Sequence, residues 1–159
     1  MIKKANLDDL QSCVDVINES FMTIAEEFGI TQENAPNYVA FSTTLDKLIE
    51  QYDSGREMYV YITDNNIVGF FSLAFSESTT CELNNLCVLP AERHSGIGEE
   101  LLIYAIRRAK SRKANKLTLS LIEENAELKA WYSSFGFVHT HTKKFDCFPF
   151  TCGYMEMHF

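Results

Sequence analysis

Two glycines one residue apart, Gly96 and Gly98, stand just ahead of apolar positions Leu101, Leu102, Ala105 and Ala109, which with Ile97 recur at helical spacing. The pair therefore falls at a helix start. Four backbone N–H groups there lack partners and sit at the positive end of the helix dipole, so a phosphate can approach wherever side chains are missing. Upstream, Leu86, Cys87, Val88 and Leu89 form an apolar run that Pro90 ends. Strand, turn, glycine loop and helix succeed one another over residues 83–109, an order suited to holding an anion. A tight turn before a helix would use the same two glycines. Further on, Asn125 and Tyr132 are seven positions apart, two helical turns, so both side chains lie on one helix face and can point into one cleft.

The glycine spacing excludes two familiar phosphate binders. A nucleotide P-loop needs Lys-Ser/Thr after its last glycine, whereas Glu99 and Glu100 come after Gly98, and a dinucleotide fingerprint needs a third glycine.

The elements that must position these residues can be read in order. Residues 1–5 suit a short strand, and Asn6 suits the N-cap of a helix with Asp8 and Asp9 in its first turn and Val14, Ile17, Phe21 and Ile24 on its apolar face. The acidic, glycine-containing residues 26–36 interrupt that pattern. Residues 38–52 predict a second helix burying Val39, Phe41, Leu45, Leu48 and Ile49. Residues 57–63 and 67–76, rich in β-branched and aromatic residues, flank a hairpin turn at Asp64-Asn65-Asn66. Residues 79–89 form the next strand, the glycine-led helix comes after it, and residues 116–121 form a fifth strand. A strand–helix–strand crossover favours a parallel pair, so the sheet is expected to be mixed. Asn125 caps a helix that Gly136 ends, and residues 137–142 and 154–159 supply the last two strands. The expected class is α+β (mixed α/β): a mixed, mostly antiparallel sheet of about seven strands flanked by about four helices.

A chain of 159 residues with 46% hydrophobic content fills one core, so residues 1–159 are expected to be one domain. The formal charge of −8 argues against nucleic acid as the main partner and favours a cationic one, such as an amine. Five cysteines at unpaired spacings, with no signal segment ahead of them, imply reduced thiols and a cytoplasmic location. No apolar run reaches the roughly 18–20 residues of a membrane span, so no membrane role is expected. The basic helix end Arg107, Arg108, Lys110, Arg112 and Lys113 is expected to complement the helix dipole and face solvent.

Arg93-His94-Ser95-Gly96-Ile97-Gly98 resembles the R/Q-x-x-G-x-G/A acyl-CoA motif of the GCN5-related N-acetyltransferase (GNAT) superfamily. Residues 86–90 resemble its fourth strand, and residues 125–137 resemble its N-x-x-A-x-x-F/L-Y-x-x-x-G-F block, with Trp131 where Phe or Leu is common. The resemblance is strongest over residues 82–137. It implies a GNAT fold with a splay between strands four and five, and acetyl-CoA as cosubstrate with no metal. The backbone of Leu86, Cys87 and Val88 would pair with the pantetheine arm. The backbone N–H groups of Arg93, His94, Ser95, Gly96, Ile97, Gly98 and Glu99 would hold the pyrophosphate. Arg93 would either meet phosphate or fix the loop. Asn125 and Tyr132 would face the bound cofactor, with Tyr132 as the acid that protonates the departing thiolate. Glu82, in a segment resembling the strand of histone-acetylating members, would be the base, with Asn84 and Asn85 as secondary candidates for orienting water or substrate. The first two helices would cover the acceptor end, where Glu26, Glu27 and nearby aromatics could select a substrate.

The implied activity is acetyl transfer from acetyl-CoA to a primary amine of a small molecule or peptide, by direct attack in a ternary complex. A catalytically weak CoA-binding sensor or interaction module on the same fold is the alternative. Two further features carry less. His139-x-His141 places two imidazoles on one strand face, but two ligands are too few for a metal. Cys87 could be a nucleophile, although an apolar strand favours an inert thiol. The aromatic run Phe145, Phe148, Phe150 and Tyr154 either closes its own core or packs between subunits of a homodimer.

Overall fold

A computed structural model describes residues 1–77 and 79–159. In chain order the elements are β1 (Ile2–Lys4), α1 (Leu10–Glu27), α2 (Val39–Ser42), α3 (Leu45–Asp53), β2 (Glu57–Thr63), β3 (Asn66–Phe75), β4 (Thr80–Val88), α4 (Ile97–Ser111), β5 (Lys116–Ile122), α5 (Ala126–Ser134), β6 (Val138–Lys144) and β7 (Thr151–His158). Asn6 caps the turn that leads into α1, as its sequence position suggests, in a reciprocal box with Asp9. The predicted second helix is two pieces. Thr43 and Thr44 take extended backbone, and the Thr44 hydroxyl accepts from Lys47 N, starting α3 afresh. That break makes five helices where about four were expected. Asp64 and Asn65 both have positive φ, the geometry of the tight hairpin turn expected there.

The seven strands lie in the order β1-β2-β3-β4-β5-β7-β6. Only β4 and β5 run parallel, and their pairing stops at Glu82–Thr118 although β4 continues to Val88 and β5 to Ile122. The strands part beyond that point, which is the expected splay. A bulge on β4 adds a second displacement: Phe70 pairs with Cys87 and Ser72 with Asn84, leaving one residue on β3 against two, Asn85 and Leu86, on β4. Asn85 has a φ of 55°. An extra residue reverses side-chain alternation. Cys81 and Leu83 accordingly join the core under α4, whereas Cys87 joins the core under α1 and α3.

A third apolar cluster, around Ala25, Ile30, Tyr38 and Phe150, ties the end of α1 to the β6–β7 connection. Phe148 and Phe150 therefore close their own chain's core. Among the described residues no helix is long and apolar enough to cross a membrane.

The basic end of α4 does not simply face solvent. Glu57, only 6% exposed, accepts from Arg108 Nε and Nη2 at 2.8 Å each, from Arg112 and from the Tyr59 hydroxyl. Arg108, then the Tyr59 hydroxyl and the Arg112 charge, holds the Glu57 carboxyl down to about 2 against the opposition of burial. The folded pKa is the lower one, so the stabilisation is present above the ordinary carboxylate range and is lost as pH falls toward 2. A shift from 4.5 to about 2 corresponds to about 3 kcal/mol. Glu57→Gln is expected to lower unfolding free energy by about 2–3 kcal/mol at pH 7, measured in urea. The gap between parent and variant should close between pH 5 and pH 2; a gap that stays constant would remove this ion pair as its cause.

Candidate active site

Where β4 and β5 part, a cleft of about 370 Å³ opens through the sheet. Asn84, Asn85 and Leu86 form one lip, Leu119, Ser120 and Leu121 the other, and α5 adds Leu128 and Tyr132, with its cap Asn125. Beyond Glu82 the β5-facing edge of β4 has lost its strand partner. An extended amide-bearing arm can pair there as a strand would. Leu86 lines the cleft. The side chains of Cys87 and Val88 turn into the two cores, and neither residue lines the cleft. Burial pushes the Cys87 thiol up to about 12, against the opposing effect of Ser20, which leaves it protonated and inert.

The start of α4 leaves backbone amides without helical partners. Gly96 is its N-cap with a φ of 90° and makes no side-chain cap bond, and Glu100 N makes the first bond back, to Gly96 O at 3.0 Å. The amides of Ile97, Gly98 and Glu99 thus precede the helical hydrogen-bond ladder. A Cβ on Gly98 would lie 3.8 Å from Trp131 and 3.9 Å from Val88, so the start of α4, the end of β4 and α5 converge around that glycine. His94, at φ 63°, and Ser95, whose hydroxyl donates to Glu92 O at 2.5 Å, shape the loop before it.

The Arg93 guanidinium is turned to acceptors of the protein itself. Its Nε donates to Val88 O at 3.1 Å, Nη1 to Thr23 Oγ1 at 3.0 Å and Nη2 to Ser20 O at 2.9 Å. Its guanidinium ties the end of β4 to α1. Its own amide donates to Pro90 O, so the backbone site narrows to the residues after it.

Asn125 caps α5, its Oδ1 accepting from Leu128 N at 3.1 Å. Tyr132 is 6% exposed, packed edge-on against Trp131 and Phe137, and lines the cleft. Among the described residues its hydroxyl has no hydrogen-bond partner. Burial, then the neighbouring Cys87, raises its pKa, so the phenol holds its proton at neutral pH. An acid is available, not a base. Glu123 braces this helix: it accepts from Lys129 Nζ at 2.6 Å and meets His139 Nε2 at 2.9 Å.

Glu82 sits at the edge of the splay. It is exposed, in the last β4–β5 pair before the splay, and does not line the cleft. Its nearest lining neighbour by alternation is Asn84. Glu26 and Glu27 are exposed and also outside the lining. The α1–α3 side of the cleft is walled by Phe21 and Tyr38, with Lys47 and Gln51 of α3, and Phe148 and Phe150 line it as well. Sequence reading missed Lys47 and Gln51. Nothing in their spacing marks them. The two histidines do not share a face, because a bulge between them pairs His139 with Met155 and His141 with Tyr154, adjacent residues of β7. Among the described residues no group of three or more metal-ligating side chains occurs.

A splayed parallel strand pair beside a glycine-led helix defines the acyl-CoA-binding class of mixed sheet. The model of the Acetyltransferase (GNAT) family matches residues 24–137, and the chain belongs to that family. It is 27% identical over 143 residues to the uncharacterized N-acetyltransferase YjgM of Escherichia coli strain K12, covering 87% of this chain and 82% of that one. Its fold is similar to the PaiA N-acetyltransferase of Thermoplasma acidophilum in complex with coenzyme A, with a TM-score of 0.84, 22% identity, and coverage of 100% and 98% of the two chains. It is also similar to a GNAT family acetyltransferase of Elizabethkingia anophelis with acetyl-CoA bound, with a TM-score of 0.65, 25% identity, and coverage of 71% and 82%.

Proposed function

We propose that this protein, acting as one domain over residues 1–159, transfers the acetyl group of acetyl-CoA to a primary amine of a small molecule or peptide in a ternary complex. The observation that carries this reading is the cleft between β4 and β5, lined by Tyr132 and by aromatic side chains, together with the start of α4, which meets α5 at Trp131. Acetyl-CoA supplies the acyl group as a thioester. The amides of Ile97, Gly98 and Glu99 bind its pyrophosphate, and the open edge of β4 at Leu86, Cys87 and Val88 holds its amide arm. As the amine nitrogen forms the new C–N bond and the C–S bond breaks, Tyr132 gives its proton to the sulfur, and the proton that the nitrogen sheds as it becomes an amide returns to the Tyr132 phenolate. The ammonium form of the acceptor must first lose a proton, and the protein's part in that step is Glu82, reached only through water past Asn84.

The direct test is thiol release from acetyl-CoA with a panel of amines, alongside quenching of Trp131, the single tryptophan, by CoA. Quenching without thiol release from any amine would favour a CoA-binding sensor. Because Glu82 is remote, Glu82→Gln should lower kcat/KM by less than about 10-fold, most at low pH where neutral amine is scarcest, with the loss shrinking as pH rises. A loss that is the same at every pH would make Glu82 structural, and so would no loss at all.

A further inference from the structure

Among the described residues lining the cleft there is no aspartate, glutamate or histidine, and Lys47 is the one charged side chain. Given the acetyl transfer proposed above, this lining constrains the acceptor in two ways. A polyamine or aminoglycoside brings several ammonium groups, each of which needs a carboxylate once it leaves water. The cleft offers none, and Lys47 repels a second cation. The formal charge of −8 still attracts cations from a distance, but salt screens that attraction within about 10 Å, so the lining decides what stays. The other constraint concerns protonation. With no base in the cleft, the acceptor's own pKa sets how much of it is neutral. An α-amino group, at about 7.7–8.0, is neutral roughly 200–400 times more often at pH 7 than a lysine-like amine at about 10.4.

The walls add shape. Phe21, Ile24, Tyr38 and Phe150 give an apolar enclosure, and a volume of about 370 Å³, shared with the thioester, leaves room for one bulky side chain. Lys47, Gln51 and Asn37 offer hydrogen-bonding groups to the part of the acceptor beyond that side chain. Lys47 is exposed and forms no ion pair among the described residues.

We propose that the acceptor is an α-amino group next to a carbonyl, as at a peptide N-terminus, with an uncharged apolar first side chain and a negative charge placed to meet Lys47. The same chemistry occurs in a free amino-acid amide, which lacks only the negative charge.

Thiol release from acetyl-CoA is measured with tetrapeptides beginning Phe-Asp and Phe-Lys, an N-blocked lysine peptide, phenylalanine amide and spermidine. The same compounds are titrated calorimetrically into the CoA-loaded protein. The Phe-Asp peptide should exceed Phe-Lys by about 10-fold or more in kcat/KM, and the N-blocked lysine peptide and spermidine should fall at least about 100-fold behind. Phenylalanine amide near the Phe-Asp value would point to small molecules as the source, and a value well below it to peptides. Rates should rise with pH and level off near the acceptor's pKa of about 8. Lys47→Glu should reverse the Asp/Lys order, with the change in KM. Spermidine or the blocked lysine peptide as best acceptor, or an unchanged order in Lys47→Glu, would overturn the assignment. If the peptides bind the CoA-loaded protein in the stated order without turnover, the acceptor site stands and the transfer reaction falls.

Discussion

Tyr132→Phe is expected to lower kcat by about 10²–10⁴-fold while leaving CoA affinity within a few-fold of the parent. The substitution removes one oxygen and keeps the ring that packs against Trp131 and Phe137. Among the described residues the hydroxyl bonds to nothing, so its loss orphans no partner and the fold should be unaffected. What is lost, in the proposed mechanism, is the proton given to the departing sulfur. Burial keeps the phenol protonated at neutral pH, the state an acid requires. Single-turnover rates with saturating acetyl-CoA and the best acceptor isolate the chemical step from product release. An unchanged single-turnover rate would remove Tyr132 from the mechanism and leave water as the proton source.

Gly98→Val is expected to weaken CoA binding by about 100-fold or more, since hydrogen bonds to a charged group contribute about 1.5–3 kcal/mol each and each 1.4 kcal/mol is tenfold. The geometry makes it a clean experiment. A Cβ at residue 98 has ordinary contacts with Trp131 and Val88, and the glycine has no positive φ, so the protein should still fold. In the proposed binding mode the added methyl groups would crowd the pyrophosphate at the amides of the α4 start. Gly98→Ala should have a smaller effect in the same direction. Gly96→Val is a poorer probe, because a β-branched residue at a φ of 90° is strained whatever it does to binding. Calorimetric CoA binding by folded Gly98→Val as tight as the parent's would mean the pyrophosphate sits elsewhere.

The helices and strands were largely legible in the residues because their causes are local. The 3.6-residue recurrence of Leu101, Leu102, Ala105 and Ala109, the cap at Asn6 and the Asp64-Asn65 turn act within a few positions of each other. The parallel β4–β5 pair came from chain handedness, and the glycine-led start of α4 from spacing alone. Asn125, Leu86 and Tyr132 were picked out by motif, and the fold brings all three to one cleft. The remainder depended on residues far apart in the chain. Arg93 offered two roles in the sequence, and its contacts to Ser20 and Thr23, 73 and 70 positions away, which tie the loop to α1, could not be read there. Arg108 and Arg112 read as solvent-facing charges until folding placed buried Glu57 beneath them, 51 and 55 positions away. Single-residue bulges decided faces: one turned Cys87 away from the face of Cys81, and another separated His139 from His141. Glu82 fell outside the cleft while Lys47 came to line it, because the splay and the break before α3, not residue type, set what reaches the opening. Periodicity and capping carry short-range free energies that a sequence displays directly. Which charge meets which carboxylate, and which side of a strand a residue takes, is settled only when distant segments pack.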